Sequence, residues 1–541
     1  MHLRFSLLAL VVLTTAPGCA SIDTPLTRGF GKGGTVEMMI APSTLRNIEP
    51  LKLDAASTKP TTQSSTTQPV VEVPITLARS RELALRNNLD LAVATIDPTI
   101  AGFALTEAES QFDTTFTTDF SFGVFDSPVN SQLQGSSVKA ANLTPGLRVF
   151  LPTGGVFNLT VPMERTESDN QFQNRPLSFT SDITASIRQP LLRGAGTDAN
   201  ALRIRIAFYD LQRSEAQTKL EVIRVLASVD RAYWRLFAAR EILRVRLQER
   251  ALAQAQLDRA RRRLAAKAVA EVEVIRAESG LADTLEGIII AENSVRDRQR
   301  ELKRVLNSPD YPLQSSTILI PESPPAAIEL KLDQNKLLAQ AQQNRMELLV
   351  AELQIAQQTA SIAAAKNDSL PLVNLDYTFN LNGLGDTLPD AWEMNADWDF
   401  IDHRVGIQVE IPIGNRQARS RLRSALARRI QLLSNKLQRS QQVQQEVLAA
   451  IDQLQANKNR VDAATQRVGL SRRLLDAEIR QFDLGLRTST EVLNAQTSVA
   501  SSESSLVAAV TEYQIAQVDL AFATGMTLGA SRVAWQPTPT R

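Results

Sequence analysis

The sequence predicts a mainly α fold with β, in which long coiled-coil-like helices build a tall wall and short strands at one end are shared between protomers. Three observations predict it. Apolar residues recur at every seventh position over two long stretches. Segments of about ten residues between the helical stretches switch to a period of two. Beyond the N-terminal segment no run of about 18 apolar residues offers a membrane helix, so a membrane crossing must be made by strands.

The chain has 541 residues, 22% charged and 43% hydrophobic, with a formal net charge of +1, which gives no electrostatic case for nucleic acid. Residues 1–19 read as a secretory signal: His2 and Arg4, the apolar run Phe5 to Leu13, then Pro17-Gly18-Cys19. Gly18 before the lone cysteine resembles a lipobox, in which Cys19 is acylated and anchors the mature chain; the alternative is an ordinary signal whose cysteine is discarded. Without a second cysteine no disulfide forms within one chain. Residues 20–74 are too polar and proline-broken to bury a core and read as a disordered tether.

From Thr76 one long pattern is written twice. Val222, Val229, Leu236, Leu243, Leu257 and Leu264 lie on a seven-residue ladder broken at Arg250; Val447, Leu454, Val461, Val468, Leu475 and Phe482 lie on another. Leu264 and Phe482 are 218 residues apart, and the same offset superposes Glu273-Val274-Ile275 on Glu491-Val492-Leu493. An internal duplication is expected, with a first repeat over 75–325, a second over 326–530 and a tail over 531–541. Helices are expected over 76–111, 199–265, 271–307, 331–369, 416–483 and 489–524. The two long ones would reach about 100 Å, and a sustained heptad favours left-handed supercoiling.

The strand segments sit between the first and the long helix of each half. Phe112, Phe116, Phe120, Phe122 and Val124 alternate with Asp113, Thr115, Thr117, Asp119 and Ser121; Leu177, Phe179, Ile183 and Ile187 with Ser178, Thr180, Asp182, Thr184 and Arg188. Val373, Leu375, Tyr377, Phe379 and Leu381, then Val405, Ile407, Val409 and Ile411, repeat the device in the second half. A soluble sheet with one face on a core alternates in the same way. At one end of helices about 100 Å long, lipid is the available cover, provided that the strands close into a barrel. Four strands cannot close alone, because the smallest membrane barrels need about eight, so protomers must share one. A further alternating pair, 143–151 and 156–163 around Thr153-Gly154-Gly155, either projects as a hairpin or adds to the barrel.

Chemistry-bearing motifs are sparse. The histidines are His2 and His403, and the sequence has no zinc-ligand spacing, P-loop or Gly-x-Ser-x-Gly elbow, so an enzyme is not expected, nor any cofactor. Gly194-Ala195-Gly196 lacks the lysine of a phosphate cradle. Asp386, Asp390, Glu393, Asp397, Asp399 and Asp402, with Trp392 and Trp398, read as a solvated loop; cation binding is the alternative.

Over about residues 74–530 the chain resembles the TolC-like outer membrane efflux proteins. The resemblance is carried by Ile75-Thr76-Leu77, Ala84 to Leu91, Gln189-Pro190-Leu191-Leu192-Arg193-Gly194-Ala195-Gly196, Ala232-Tyr233-Trp234, Ile411-Pro412-Ile413-Gly414-Asn415-Arg416, and Phe482-Asp483-Leu484-Gly485-Leu486 leading to Glu491-Val492-Leu493. It implies a homotrimer with twelve strands in one outer-membrane β-barrel and a periplasmic α-barrel. It also implies a periplasmic adaptor and an inner-membrane transporter as partners, besides outer-membrane lipid. The expected role is a passive outer-membrane channel for exported small molecules; a type I protein-secretion duct and a lipid-anchored periplasmic coiled-coil scaffold are the alternatives. Pro190 and Pro412 fall where strand gives way to long helix, as expected of pivots. The breaks near Lys267 and Gly485 would be the periplasmic tips that meet the adaptor: Gly485 suits a left-handed turn between Leu484 and Leu486, and Thr488 or Ser489 can cap the next helix. Lys267 stands where Gly485 has its counterpart, so the first tip departs from the pattern.

Overall fold

The computed structural model describes residues 71–129, 135–170, 172–267, 269–325 and 332–533. Cys19, the signal, nearly all of the expected tether and most of the C-terminal tail lie outside the described residues.

The first described element corrects the tether's boundary. Strand β1 (Glu72–Ile75) pairs in parallel with β7 (Ile318–Pro321), Val73 opposite Leu319. Thr76 then caps helix α1 (Leu77–Asn87), its side chain accepting from the Arg79 N–H, and Asn88 does the same for α2 (Leu89–Ala94) through the Leu91 N–H. Helix α3 (Asp97–Glu109) carries a proline in its first turn. The single helix expected over 76–111 is therefore three, because Asn88 and Pro98 end and restart the ladder. Leu89–Phe112 is, by length and composition, apolar enough to cross a membrane, which the sequence reading did not anticipate; these 24 residues are broken into pieces and pack along α4.

Helices α4 (Leu202–Ala265), α5 (Glu271–Leu306), α9 (Arg416–Asp483) and α10 (Ser489–Ala523) fall within a few residues of expectation. Between them come α6 (Gln334–Asn344) and α7 (Met346–Asn367), split at Arg345 where one helix was expected. At about 1.5 Å per residue α4 and α9 are each about 100 Å long. The starts of α5 and α10 lie 218 residues apart, as do the ends of α4 and α9.

The heptad ladders are the packing seams. Val222, Val229 and Leu236 are fully buried, and Leu257 nearly so; Val447, Leu454, Val468, Leu475 and Phe482 do the same in α9. At the Arg250 break the buried phase passes to Val245, Glu249 and Ala253, so the seam shifts sideways and Arg250 stays exposed. The largest core cluster gathers where β1, α1, α4 and α5 meet. There the fully buried Tyr233 hydroxyl donates to the Ile75 carbonyl (3.2 Å) and accepts from the Ser323 N–H (2.9 Å), joining the segments around β1 and β7.

The remaining strands form one sheet: β2 (Thr115–Asp126), β3 (Ser137–Phe150), β4 (Val156–Thr160), β5 (Met163–Ser168), β6 (Leu177–Pro190), β8 (Leu372–Gly385) and β9 (Ile401–Glu410). Its order is β2-β3-β4-β6-β8-β9, with β5 also between β3 and β6. β4 and β5 are thus one strand position, interrupted at Val161-Pro162, where the Val161 N–H donates to Pro145 O and the Asp182 N–H to Pro162 O. The sheet is six positions wide where the resemblance implies four. Helix α8 (Leu388–Ala396), opened by a capping box between Thr387 and Asp390, packs on β8 and β6.

Candidate functional site

The register sorts the sheet into two continuous faces. On one, Phe116 lies opposite Leu147, Leu147 opposite Leu159, and Leu159 opposite Ala185, itself opposite Phe379. The next rungs add Phe120, Leu143 and Met163, and toward β9 come Ile187, Tyr377 and Val405. Toward the two outer strands this face is strongly exposed, Phe120 at 72%, Val405 at 70% and Ile407 at 68%, while Leu159, Ala185 and Phe379 in the middle are half-buried. On the other face Arg188 pairs with Asp376 at 2.6 Å, Arg148 donates to Asn158 at 3.1 Å, and Asn382 donates to Asp402 at 2.9 Å. A face of large apolar groups backed by a hydrogen-bonded polar face is the pattern of a wall between lipid and water.

The apolar face ends where charge begins. Lys139, Arg165 and Glu167 occupy its positions farthest from the helices and pair with one another at 2.9 to 3.4 Å. Near that end α8 covers Ser181, Gly383 and Gly385, and Asn395 donates to the Ser181 carbonyl at 2.7 Å. A Cβ on Gly383 would stand 2.2 Å from the Ala391 carbonyl, so this approach requires glycine. The acidic residues around α8 do not converge: Asp390 caps the helix, Asp386 faces Arg175 at 3.4 Å, and Asp402 accepts from Asn382.

Both strand-to-helix junctions carry the expected prolines. Pro190 ends β6 opposite Asn374, and Pro412 lies two residues beyond Glu410, the last residue of β9. The turns themselves are made by residues that the sequence reading did not assign to them. Gly194 and Gly196 at the first junction, and Gly414 and Asn415 at the second, all have positive φ, which sharply redirects a strand into a helix. The Gly194 N–H donates to Asn367 Oδ1, the Ala195 N–H to Leu192 O and the Gly196 N–H to Thr153 O, which uses the N–H groups that a phosphate cradle would need, while both glycine carbonyls accept from Asn200. The paired left-handed positions Gly-x-Gly and Gly-Asn were the available signal.

At the far end of the helices the two tips lie against each other. α9 ends in a Schellman turn: the Leu486 N–H donates to Gln481 O and the Gly485 N–H to Phe482 O, both at 2.9 Å, with Gly485 at φ 77°. Lys267 takes the same left-handed conformation, φ 55°, after α4, despite its side chain. Thr488 caps α10 in a capping box with Glu491, whose carboxylate is held below its ordinary range by the Thr488 N–H and then by the Arg487 guanidinium. Ser489 is not the cap. It is fully buried, its N–H donating to Glu273 Oε2 at 2.8 Å and its hydroxyl accepting from Gln256 at 3.3 Å, so it braces one tip against the other. Leu484 and Leu486 project, 74% and 73% exposed.

Residues 337–526 match the family model described as outer membrane efflux protein. The outer membrane protein TolC of Vibrio cholerae serotype O1 is 22% identical over 302 residues, covering 56% of this chain and 67% of that protein. The outer membrane protein TolC of Salmonella enteritidis is 23% identical over 301 residues, covering 54% and 59%. The chain thus spans about two thirds or less of the length of these relatives. Among solved structures, that of CusC, described as forming a transmembrane channel, superposes with a TM-score of 0.61 at 16% identity, covering 83% of this chain and 92% of that one. The mainly helical architecture with an end sheet is therefore the fold of these channels.

Proposed function

As a TolC-like outer membrane efflux protein, seated in the outer membrane with a large periplasmic portion, this chain, we propose, is one third of a passive duct for small molecules. The observation that carries the reading is the sheet: one face apolar and exposed, the other polar and hydrogen-bonded, at the end of helices about 100 Å long. Lipid covers the first face and water fills the space behind the second. An inner-membrane transporter supplies the energy, so the duct contributes shape and lining, with no covalent chemistry.

Three further features support the assembly. The outer strands β2 and β9 each leave one edge unpaired among the described residues, an arrangement that lipid penalises unless copies pair edge to edge. The exposed apolar residues of α2 and α3, Leu89, Val93, Ile100 and Phe103, suit contact with a neighbouring copy. The equal 218-residue spacing of helix starts and ends supports an internal duplication, with repeats over 75–325 and 326–530. The tips, with Lys267, Leu484, Gly485, Leu486 and Thr488, are the surface proposed for the periplasmic adaptor, Ser489 acting from within as their brace.

A type I protein-secretion duct would use the same architecture and differ in its transporter. The lipid-anchored scaffold reading requires protein over the apolar face, of which α8 covers an end. Electron microscopy of the full chain extracted in detergent tests the proposal. A threefold tube with a detergent belt around the sheet is expected; single rods without a belt would overturn it.

A further inference from the structure

We propose that the membrane wall of the assembled duct has eighteen strands, six positions from each of three copies, joined where β9 of one copy meets β2 of the next. The inference rests on the trimeric reading above. The partner is a second copy of this chain, and the surface is the pair of free sheet edges.

The additional hairpin is built into the wall. β3 runs its whole length against β2, from Ser137 opposite Asp126 to Arg148 opposite Thr115. β4 and β5 together fill the space between β3 and β6, from Val156 opposite Arg188 to Glu167 opposite Leu177. The hairpin therefore crosses the full height of the sheet, its turn at Gly154 pressed against Gly194 of the first strand-to-helix junction. Its side chains keep the phase of their neighbours: Leu143, Leu147, Val149, Phe157, Leu159 and Met163 continue the apolar face. Asn142, Thr144, Arg148 and Asn158 continue the polar one. A hairpin lying outside the bilayer would have no reason to match both.

The free edges fit each other. β2 has 12 residues and β9 has 10. β2 leads away from the helices and β9 returns toward α9, so neighbouring copies would pair them antiparallel, preserving the up-and-down order of the sheet. Apolar positions Phe116, Phe120 and Phe122 on one edge and Val405, Ile407 and Val409 on the other lie on the same face, so the band stays continuous through the joint. Twelve strands would require β2 to pair directly with β6, giving up the ladders of β3 with β2 and of β4 and β5 with β6 and leaving both outer edges of the hairpin unpaired. Because barrel diameter grows roughly linearly with strand number, eighteen strands make the wall about half as wide again as twelve. The sieve for cargo then lies at the helical tips and not at the membrane.

Single-particle electron microscopy of the full chain in lipid nanodiscs counts strands at belt height. Eighteen in a threefold ring is expected. A threefold ring of twelve with the hairpin outside would overturn the inference and leave the duct intact, whereas absence of a threefold particle would sink the duct itself. As a second measurement, Leu147→Lys with Phe157→Lys puts charge on the apolar face of the hairpin and should lower the yield of membrane-inserted trimer by at least about tenfold. Asn158→Lys on the polar face should leave the yield unchanged. Equal yields for both variants would overturn the placement of the hairpin in the wall.

Discussion

Arg263, near the end of α4, lays its guanidinium over the ring of Phe482 at 4.8 Å and donates a hydrogen bond to that residue's carbonyl, tying the last turn of one long helix to the last turn of the other. The bond and the cation–π contact together are worth about 1–3 kcal/mol. Arg263→Ala is expected to raise amide exchange around residues 260–275 and 480–492 severalfold while leaving the core around Tyr233 unchanged. Unaltered exchange at both tips would show that the contact does not hold them.

Lys267 occupies a left-handed conformation that costs a non-glycine residue about 1–2 kcal/mol. Lys267→Gly is expected to slow fraying at the end of α4 by about that free energy, offset in part by the greater freedom of glycine in the unfolded chain. Faster exchange in the variant would contradict the assignment of strain.

Glu491 makes the second tip sensitive to acid. Its folded-state pKa is depressed by the Thr488 N–H and the Arg487 guanidinium, so the stabilisation is complete above the unfolded carboxylate value near about 4.3. It disappears as pH falls through the lower, folded value. Protection of the amides at the start of α10, taken relative to the intrinsic exchange rate at each pH, should be flat from neutral pH down to about pH 5 and fall below about pH 4, a change absent in Glu491→Gln.

Asp230 is 2% exposed and holds Arg81 in two hydrogen bonds of 2.7 Å. Burial pushes its carboxyl upward, against the pull of the guanidinium. Asp230→Asn leaves the Arg81 charge largely enclosed and should cost about 3–5 kcal/mol, lowering the urea midpoint followed by circular dichroism. Replacing both, as Arg81→Met with Asp230→Leu, should recover most of the loss; a double variant as unstable as the single one would contradict a charge-desolvation origin.

Gly383→Val would drive a side chain into the Ala391 carbonyl and lift α8 from the sheet. Trp398, whose ring lies tilted 6.1 Å from that of Phe379, should become more accessible to an aqueous quencher, and proteolysis within 386–399 should accelerate. An unchanged quenching profile would mean that α8 is held by other contacts.

The long helices were legible because seven-residue spacing reports a seam directly: the expected 416–483 coincides with α9. The four main strands were legible through their dyads. Four residues each are too few to show a period in β1 and β7, which took their place from tertiary pairing and Tyr233. β5 was hidden because Arg165 and Glu167 fall in its apolar phase, beyond the band where lipid demands hydrocarbon. α8 is short and acidic, although Thr387, Pro389 and Asp390 write a start signal. At the tips, left-handed Gly485 was readable from its glycine, whereas Lys267 was readable only through its partner at the same offset. The burial of Ser489 depends on Gln256 and Glu273, which sequence spacing does not bring together.

The clip between β1 and β7 also sets an order of assembly. Val73 is made 246 residues before Leu319, and a two-stranded ribbon has little stability of its own. β1 therefore waits, unpaired, through the synthesis of α1 to α5, and closes only when Tyr233 presents its hydroxyl to both sides. The first half of the molecule is fastened by its earliest and latest pieces, so a chain interrupted before residue 318 keeps its helices without the clasp that registers them.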